Sequence, residues 1–337
     1  MTDQHITTPE TSRMTRLPAL RRYVNLLGPM IMVIVLCIIM AFAEPRFFNV
    51  PNLMIILHDA AIFMVLGTAM TLVITARGID LSIGAVAALS AIVMAMLIKD
   101  YGVNVYLAMA ASVVVGLLCG FVNSVIITRL HVPDLLATLA MDQIYRGIAL
   151  VLAAGAVLAR FPEPIPFIGR GRVLGGIPVS AVVGLVALAV GVVLYRSTHI
   201  GRYAAAIGGN REAALLSGIN VRRHKTLQYV IMGGAAAIAG ILLTGRLNAV
   251  QATVGQGLAL HTIAAVVVGG TVLFGGRGTM LGTLVGVLLL SMVTNALVIL
   301  RFQFFWQLVA SGIVIIASIG FYSYMNRSGD DDGKDET

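Results

Sequence analysis

The stretch Ile177–Arg246, IPVSAVVGLVALAVGVVLYRSTHIGRYAAAIGGNREAALLSGINVRRHKTLQYVIMGGAAAIAGILLTGR, holds two apolar runs with a polar one between them. Neither Ile177–Tyr195 nor Leu227–Gly245 contains a charged residue. Each is close to the ~20 residues that an α-helix needs to cross the hydrocarbon core of a bilayer. Between them, Arg196–Thr226 carries Arg196, Arg202, Arg211, Arg222, Arg223 and Lys225 against one acid, Glu212. Two uncharged runs of spanning length around a basic insert predict two membrane helices joined on the side where cations are retained.

The same apolar length recurs along the chain. Ten spans are expected, near 24–43, 53–75, 81–98, 106–128, 135–157, 177–195, 227–246, 258–274, 280–300 and 304–324. Of 337 residues 58% are hydrophobic and only 11% charged, with mean hydropathy +0.95. Soluble domains carry about 25% charged residues. The fold class is therefore all-α and polytopic, and strands of a membrane barrel would alternate polar and apolar instead. One membrane domain over 24–324 is expected, set in the lipid bilayer. A tail over 1–23 precedes it and an acidic tail over 325–337, with DDDGKDE, follows it. The polar start followed by a full-length span reads as a cytoplasmic tail and not a cleavable signal.

Charge sets the expected sidedness. Arg13, Arg16, Arg21 and Arg22 precede the first span, and the loops on that side hold most of the 23 Lys/Arg, including the Arg196–Thr226 segment. The positive-inside bias puts both termini and this segment in the cytoplasm. The net charge of +8 follows from that bias. No soluble basic face exists to grip phosphates, which argues against nucleic acid as a partner. The loop 158–176 on the opposite side contains Pro162, Pro164 and Pro166, so an irregular connector is expected there. Cys37 and Cys119 each lie in an apolar run and read as packing residues.

Spans 2–5 and 7–10 are candidates for an inverted repeat. Each set contains two helices joined by a short glycine-containing break, Thr75–Gly84 (TARGIDLSIG) and Gly275–Gly282 (GGRGTMLG). Within the basic segment, an Ala/Leu run begins at Asn210, with Glu212 in its first turn, and ends at Gly218. Asparagine is a good N-cap, an acid suits the first turn, and glycine suits the position after a helix end. A short helix outside the bilayer is expected over Asn210–Gly218.

Four stretches in order resemble one family. They are TLVITARGIDLSIGAVAALSA (Thr71–Ala91), VPDLLATLAMDQIYRGIAL (Val132–Leu150), GRYAAAIGGNREAALLSGINV (Gly201–Val221) and IAAVVVGGTVLFGGRGTMLGTLVG (Ile263–Gly286). They are similar to the permease subunits of bacterial ABC importers for monosaccharides of the ribose, xylose, arabinose and galactofuranose type, relatives of the autoinducer-2 permeases. The resemblance implies an inner-membrane permease paired with a second permease subunit, as homodimer or heterodimer. It implies an ATPase subunit below and a periplasmic sugar-binding protein above, with ATP–Mg held by the ATPase and no cofactor or metal in this chain. It makes Arg202, Gly208, Gly209, Asn210, Arg211, Glu212, Ala213, Ala214, Leu215, Gly218 and Asn220 the element that couples to the ATPase. No GxxxxGK[ST] phosphate loop occurs in the chain, so a transport subunit without catalysis of its own is expected.

Polar residues inside spans are costly and mark candidate pathway positions: Asp80, Asn123, Asp142, Gln143, Arg146, His261 and Asn295. Asp80 stands where it could cap the next helix or line a pathway. Asp142 and Arg146 are four apart on one helix face, the spacing of an ion pair. Arg146 matches the family's Arg-Gly pair, whereas Asp142 replaces a small or apolar residue. Where the family has Glu-Leu-Asp, this chain has Ala259-Leu260-His261, which leaves His261 as a structural donor, a gate or a titrating site. An ion-coupled secondary transporter is the alternative, with Asp80 its candidate coupling acid. A membrane enzyme is disfavoured because the six histidines are scattered without metal spacing.

Overall fold

A computed structural model describes residues 18–303 except Leu174, and beyond them Trp306, Val309, Gly312, Ile313, Ile316 and Gly320. The described residues form a helical bundle. Its long members are α1 (Pro18–Ala43), α2 (Val50–Thr75), α3 (Ile83–Lys99), α4 (Val105–Arg129), α5 (Asp134–Leu152), α7 (Val179–Ser197), α10 (Val221–Leu247), α11 (Leu258–Val268) and α12 (Met280–Ile299). Short helices α6 (Ile165–Arg170), α8 (His199–Gly209) and α9 (Arg211–Leu216) lie between them. Six helices, α2, α4, α5, α7, α10 and α12, are long and apolar enough to cross a membrane, and α1, α3 and α11 add shorter apolar stretches. The tenth expected span and the acidic tail fall mostly outside the described residues, as does the start of the N-terminal tail.

Small residues bring the central helices together. Gly116 and Gly120 of α4 face Gly233 and Tyr229 of α10, and a Cβ at Gly116 or Gly233 would meet the other's carbonyl oxygen. Lipid supplies no hydrophobic drive between helices, so such close backbone approach is what holds them. α2 and α10 are the most buried of the spanning helices and form the centre of the bundle. α4, α5 and α7 lie at the periphery, each with 28% of its apolar window buried.

Two helices end earlier than their apolar sequence implies. The fifth ends at Leu152 instead of 157, because Ala154 and Gly155 adopt positive φ. The eighth ends at Val268 instead of 274, and Gly270 turns with φ +88°. In both places the sequence stays apolar while the backbone leaves the helix. The proline-rich connector after α5 is irregular as expected: β1 (Leu158–Ala159) pairs antiparallel with β4 (Ala249–Val250), and β2 (Arg172–Val173) pairs with β3 (Ile177–Pro178). These ladders mark one end of the bundle. α8 and α9 mark the other.

The first break expected between helices, after α2, is a buried irregular segment over 76–82. Non-helical backbone inside a membrane bundle requires side-chain partners. Here the Ile79 carbonyl accepts from Tyr229 Oη (3.2 Å) and Thr138 Oγ1 (3.2 Å), and Leu81 N donates to Thr138 Oγ1 (3.1 Å). Tyr229 Oη also reaches Asp134 Oδ2 at 2.9 Å, which in turn pairs with Lys225 Nζ at 2.6 Å. Residues of α5 and α10 thus hold the end of α2 and the start of α3.

Candidate functional site

The basic segment folds into two helices, not one. Thr198 Oγ1 accepts from Ile200 N (3.1 Å) and starts α8, which sequence inspection left unassigned. Asn210 Oδ1 accepts from Glu212 N and Ala213 N, both at 3.0 Å, and starts α9 as its asparagine predicts. Gly218 follows with φ +79°, and Ile219 N returns to the Ala214 carbonyl at 3.0 Å, a glycine-terminated C-cap. Asn220 Oδ1 accepts from Arg223 N (2.9 Å) and starts α10.

This element is seated through small residues and presents large ones. Ala214 is buried in a cluster with Ala76, Ala204, Ile207 and Val221. Arg202, Arg211, Glu212, Ala213, Gly218 and Asn220 are exposed, and Leu215 and Leu216 are 50% and 91% exposed. The most consequential contact is at Gly208. A Cβ there would collide with the Thr75 carbonyl oxygen at the end of α2 and with Gly276 N. Gly276 N also donates to Thr75 O (2.8 Å), and Arg77 Nε donates to the Phe274 carbonyl (2.6 Å). α8 therefore touches, at one point, both the end of α2 and the irregular segment 269–279, while Gly209 beside it has open space.

The expected pathway residues separate into distinct settings. Asp80 is buried and its Oδ1 accepts from Ser82 N (2.9 Å) and Ser82 Oγ (2.7 Å). Asn123 Nδ2 donates to Ser82 Oγ (2.8 Å), and Tyr145 Oη donates to Asn123 Oδ1 (3.0 Å). This chain of bonds joins the break, α4 and α5. Asn295 exchanges two amide bonds with Asn52, at 2.8 and 3.0 Å, and pins α12 to the start of α2. Gln143 is exposed on α5.

The Asp142–Arg146 ion pair forms at 3.2 Å, with side chains 17% and 13% exposed. Arg146 also donates from Nη1 to the Ala252 carbonyl at 2.8 Å. That carbonyl belongs to a turn, 251–257, that leads into α11 and presses against the start of α3: a Cβ at Gly84 would collide with the Gly255 carbonyl. Gln251, Thr253 and Gln256 of this turn are exposed, and sequence inspection did not single them out because they lie in what reads as a short connector. His261, partly buried, stacks obliquely on Phe63 at 6.1 Å and lines a crevice of about 310 Å³ with Asp59, Arg246, Ser291 and Thr294. Asp59 and Arg246 form an ion pair across α2 and α10 that no local spacing announces.

Among the described residues no group of three or more His, Cys, Asp or Glu stands ready for a metal.

The chain is 40% identical to the ribose import permease protein of Bacillus subtilis, over 87% of this chain and 91% of that one. It is 32% identical to the fructose import permease protein of Rhizobium meliloti, over 84% and 80%. It is 32% identical to the D-allose transport system permease protein of Escherichia coli, over 86% and 88%. No solved structure matches the chain. A family model described as the permease component of the branched-chain amino acid transport system matches residues 52–319, and the chain belongs to that family of transport permeases.

Proposed function

We propose that this protein is the permease subunit of an ATP-driven importer and forms half of the route by which a monosaccharide, or a related small polyol, enters the cell. The observation that carries the proposal is the contact at Gly208. An element with exposed leucines at its tip meets the end of α2 and the loop before α12 at a single glycine. Force applied to α9 by a closing ATPase reaches α2, α3 and the segment before α12 without a flexible link. Rigid elements meeting at a bistable joint are what switching between outward and inward access requires.

In this proposal both termini and α8–α9 face the cytoplasm. Ten spans lie between the tails 1–23 and 325–337. ATP–Mg sits on a separate subunit, a periplasmic binding protein delivers the solute, and a second permease subunit faces α5. The short helices α3 and α11 each follow an irregular segment, 76–82 and 251–257, and the two meet where Gly84 touches Gly255. In this proposal spans 2–5 and 7–10 form an inverted repeat whose two expected breaks, Thr75–Gly84 and Gly275–Gly282, touch where Gly276 N donates to Thr75 O (2.8 Å). The solute route runs past the Asp142–Arg146 pair, Gln143 and the exposed Gln251, Thr253 and Gln256, whose amides and hydroxyls suit sugar hydroxyls. The sugar class follows from relatives named for ribose, fructose and allose. The ion-coupled alternative is weakened because the Asp80 carboxylate is already engaged by Ser82.

The test is reconstitution with the cognate ATPase and binding protein, followed by uptake of D-ribose, D-allose and D-fructose into proteoliposomes. Uptake that needs ATP and the binding protein is expected. Uptake driven by a proton or sodium gradient without ATP would overturn the proposal.

A further inference from the structure

At the α8–α9 end of the bundle, a groove of about 440 Å³ runs between the end of α4 and the start of α10, lined by Phe121, Val125, Thr128 and Arg129 on one side and by Arg222, Arg223 and Thr226 on the other. Its chemistry changes along its length. Phe121 is exposed and apolar, and Val125 and Thr128 are partly so. Arg129 lies eight residues further along α4, about 12 Å nearer the helix end at 1.5 Å per residue. There it faces Arg222 and Arg223, all three exposed and none in an ion pair among the described residues. The nearest basic neighbour, Lys225, is already taken by Asp134, and no acid lines the groove. The groove continues into a larger one that adds His131 and Arg211 and again no acid.

An ATPase surface explains a basic rim but not the apolar half that continues down the membrane-spanning part of α4. A solute route explains neither, since a neutral sugar brings no charge to balance three guanidinium groups without an acid beside them. Both halves fit one amphiphile: a phosphate at the rim and an acyl chain against Phe121 and Val125. Cationic side chains at the cytoplasmic ends of spanning helices meet the anionic lipids of that leaflet. We infer that this groove is a binding site for an anionic phospholipid, whose phosphate bridges Arg129 of α4 to Arg222 and Arg223 of α10. The lipid would brace the helix that carries α9 against its neighbour. The inference rests on the proposed orientation, in which this end faces the cytoplasm.

The experiment is native mass spectrometry of the purified full-length chain with added phosphatidylglycerol or phosphatidylcholine. The wild type is expected to retain phosphatidylglycerol preferentially. Near a membrane surface each cation contributes about fivefold in affinity, so Arg129→Gln/Arg222→Gln/Arg223→Gln should lower that preference by about a hundredfold. Arg172→Gln, exposed at the opposite end, should leave it unchanged. Val125→Trp, which fills the apolar half, should weaken retention of both lipids. Equal preference in the wild type and the triple variant overturns the inference. So does a triple variant that loses its hold on the ATPase while its lipid retention is unchanged, which would make the groove a protein contact. The readout needs no transport, so a failure of the sugar proposal in proteoliposomes leaves it standing.

Discussion

Replacing Gly208 with alanine adds one methyl group at the point where α8 meets the end of α2 and the irregular segment 269–279. That methyl would overlap two backbone atoms, Thr75 O and Gly276 N. Neither is the end of a flexible side chain, so α8 has to withdraw by roughly an ångström or the two segments have to part. Overpacking of this kind costs about 1–3 kcal/mol. Gly209 provides the matched control, because nothing lies within 4 Å of a Cβ built there. The same methyl at Gly209 meets no neighbour and, by reducing the freedom of the unfolded chain, stabilises by a few tenths of a kcal/mol to about 1 kcal/mol. Thermal unfolding in detergent separates stability from coupling, and ATP-dependent uptake and binding-protein-stimulated ATP hydrolysis in proteoliposomes read the coupling. Gly208→Ala should lower the midpoint by several degrees and cut uptake at least tenfold, while Gly209→Ala stays near the wild type in both. If Gly208→Ala transports and melts like Gly209→Ala, the joint carries no force and the coupling argument fails.

Leu216→Ala removes the most exposed apolar side chain of α9 without opening a cavity. The midpoint of unfolding should be unchanged while co-purification of the ATPase weakens by about tenfold, as for a contact that a partner buries. Undiminished co-purification would mean that nothing covers this leucine. Asp142→Ala leaves Arg146 mostly buried with only the Ala252 carbonyl as partner, whereas Asp142→Ala/Arg146→Met leaves no charge behind. The single variant should be less stable than the double by about 1–2 kcal/mol, because a lone buried charge costs more than a missing pair. Equal midpoints would remove the ion pair from the account. Asp80→Asn keeps an acceptor for Ser82 N and Ser82 Oγ, so folding and ATP-driven uptake should survive, while Asp80→Leu should lose about 1–3 kcal/mol through the abandoned donors. A well-folded Asp80→Asn with no uptake at any ATP concentration would revive the coupling-ion alternative.

How far the sequence reaches depends on whether the signal is local. Asn210, Glu212 and Gly218 announce α9 because capping acts over a few residues, and each does what its chemistry predicts. The spanning helices are legible from apolar length alone. The helix ends at Leu152 and Val268 are not, because the residues that follow, 153–157 and 269–274, stay apolar although the backbone is no longer helical. Asn295 illustrates the limit for polar residues. Its burial marks it, but only the fold shows that Asn52, distant in sequence, consumes both ends of its amide. The Asp59–Arg246 pair is hidden for the same reason: nothing in the local sequence joins a charge in the first half of α2 to one near the end of α10 until the two helices are packed side by side.

Gly208 shows why the most informative position in such a chain can be the least conspicuous. The charges of Arg196–Thr226 draw attention, yet in this account they set the side of the membrane and, at Arg222 and Arg223, meet a lipid; none of them forms the joint. Coupling between distant sites needs an element with two arrangements that both sites bias. α9 alone cannot be that element, since it is six residues long and its seating cluster of Ala76, Ala204, Ile207, Ala214 and Val221 is small. The joint beneath it has the required form. Thr75 O, Gly276 N and the backbone at Gly208 meet with no side chain between them, and Gly276 N is bonded to Thr75 O. A displacement of α8 therefore moves the end of α2 and the loop before α12 together. Through Asp80, Ser82, Asn123 and Tyr145, a shift at the end of α2 reaches α4 and α5 by hydrogen bonds, not by loosely packed methyl groups. The proposed pathway face of α5 and the proposed ATPase-facing tip of α9 are thus linked by a backbone contact and a short chain of hydrogen bonds, and the absence of a side chain at Gly208 is what lets the backbones meet directly.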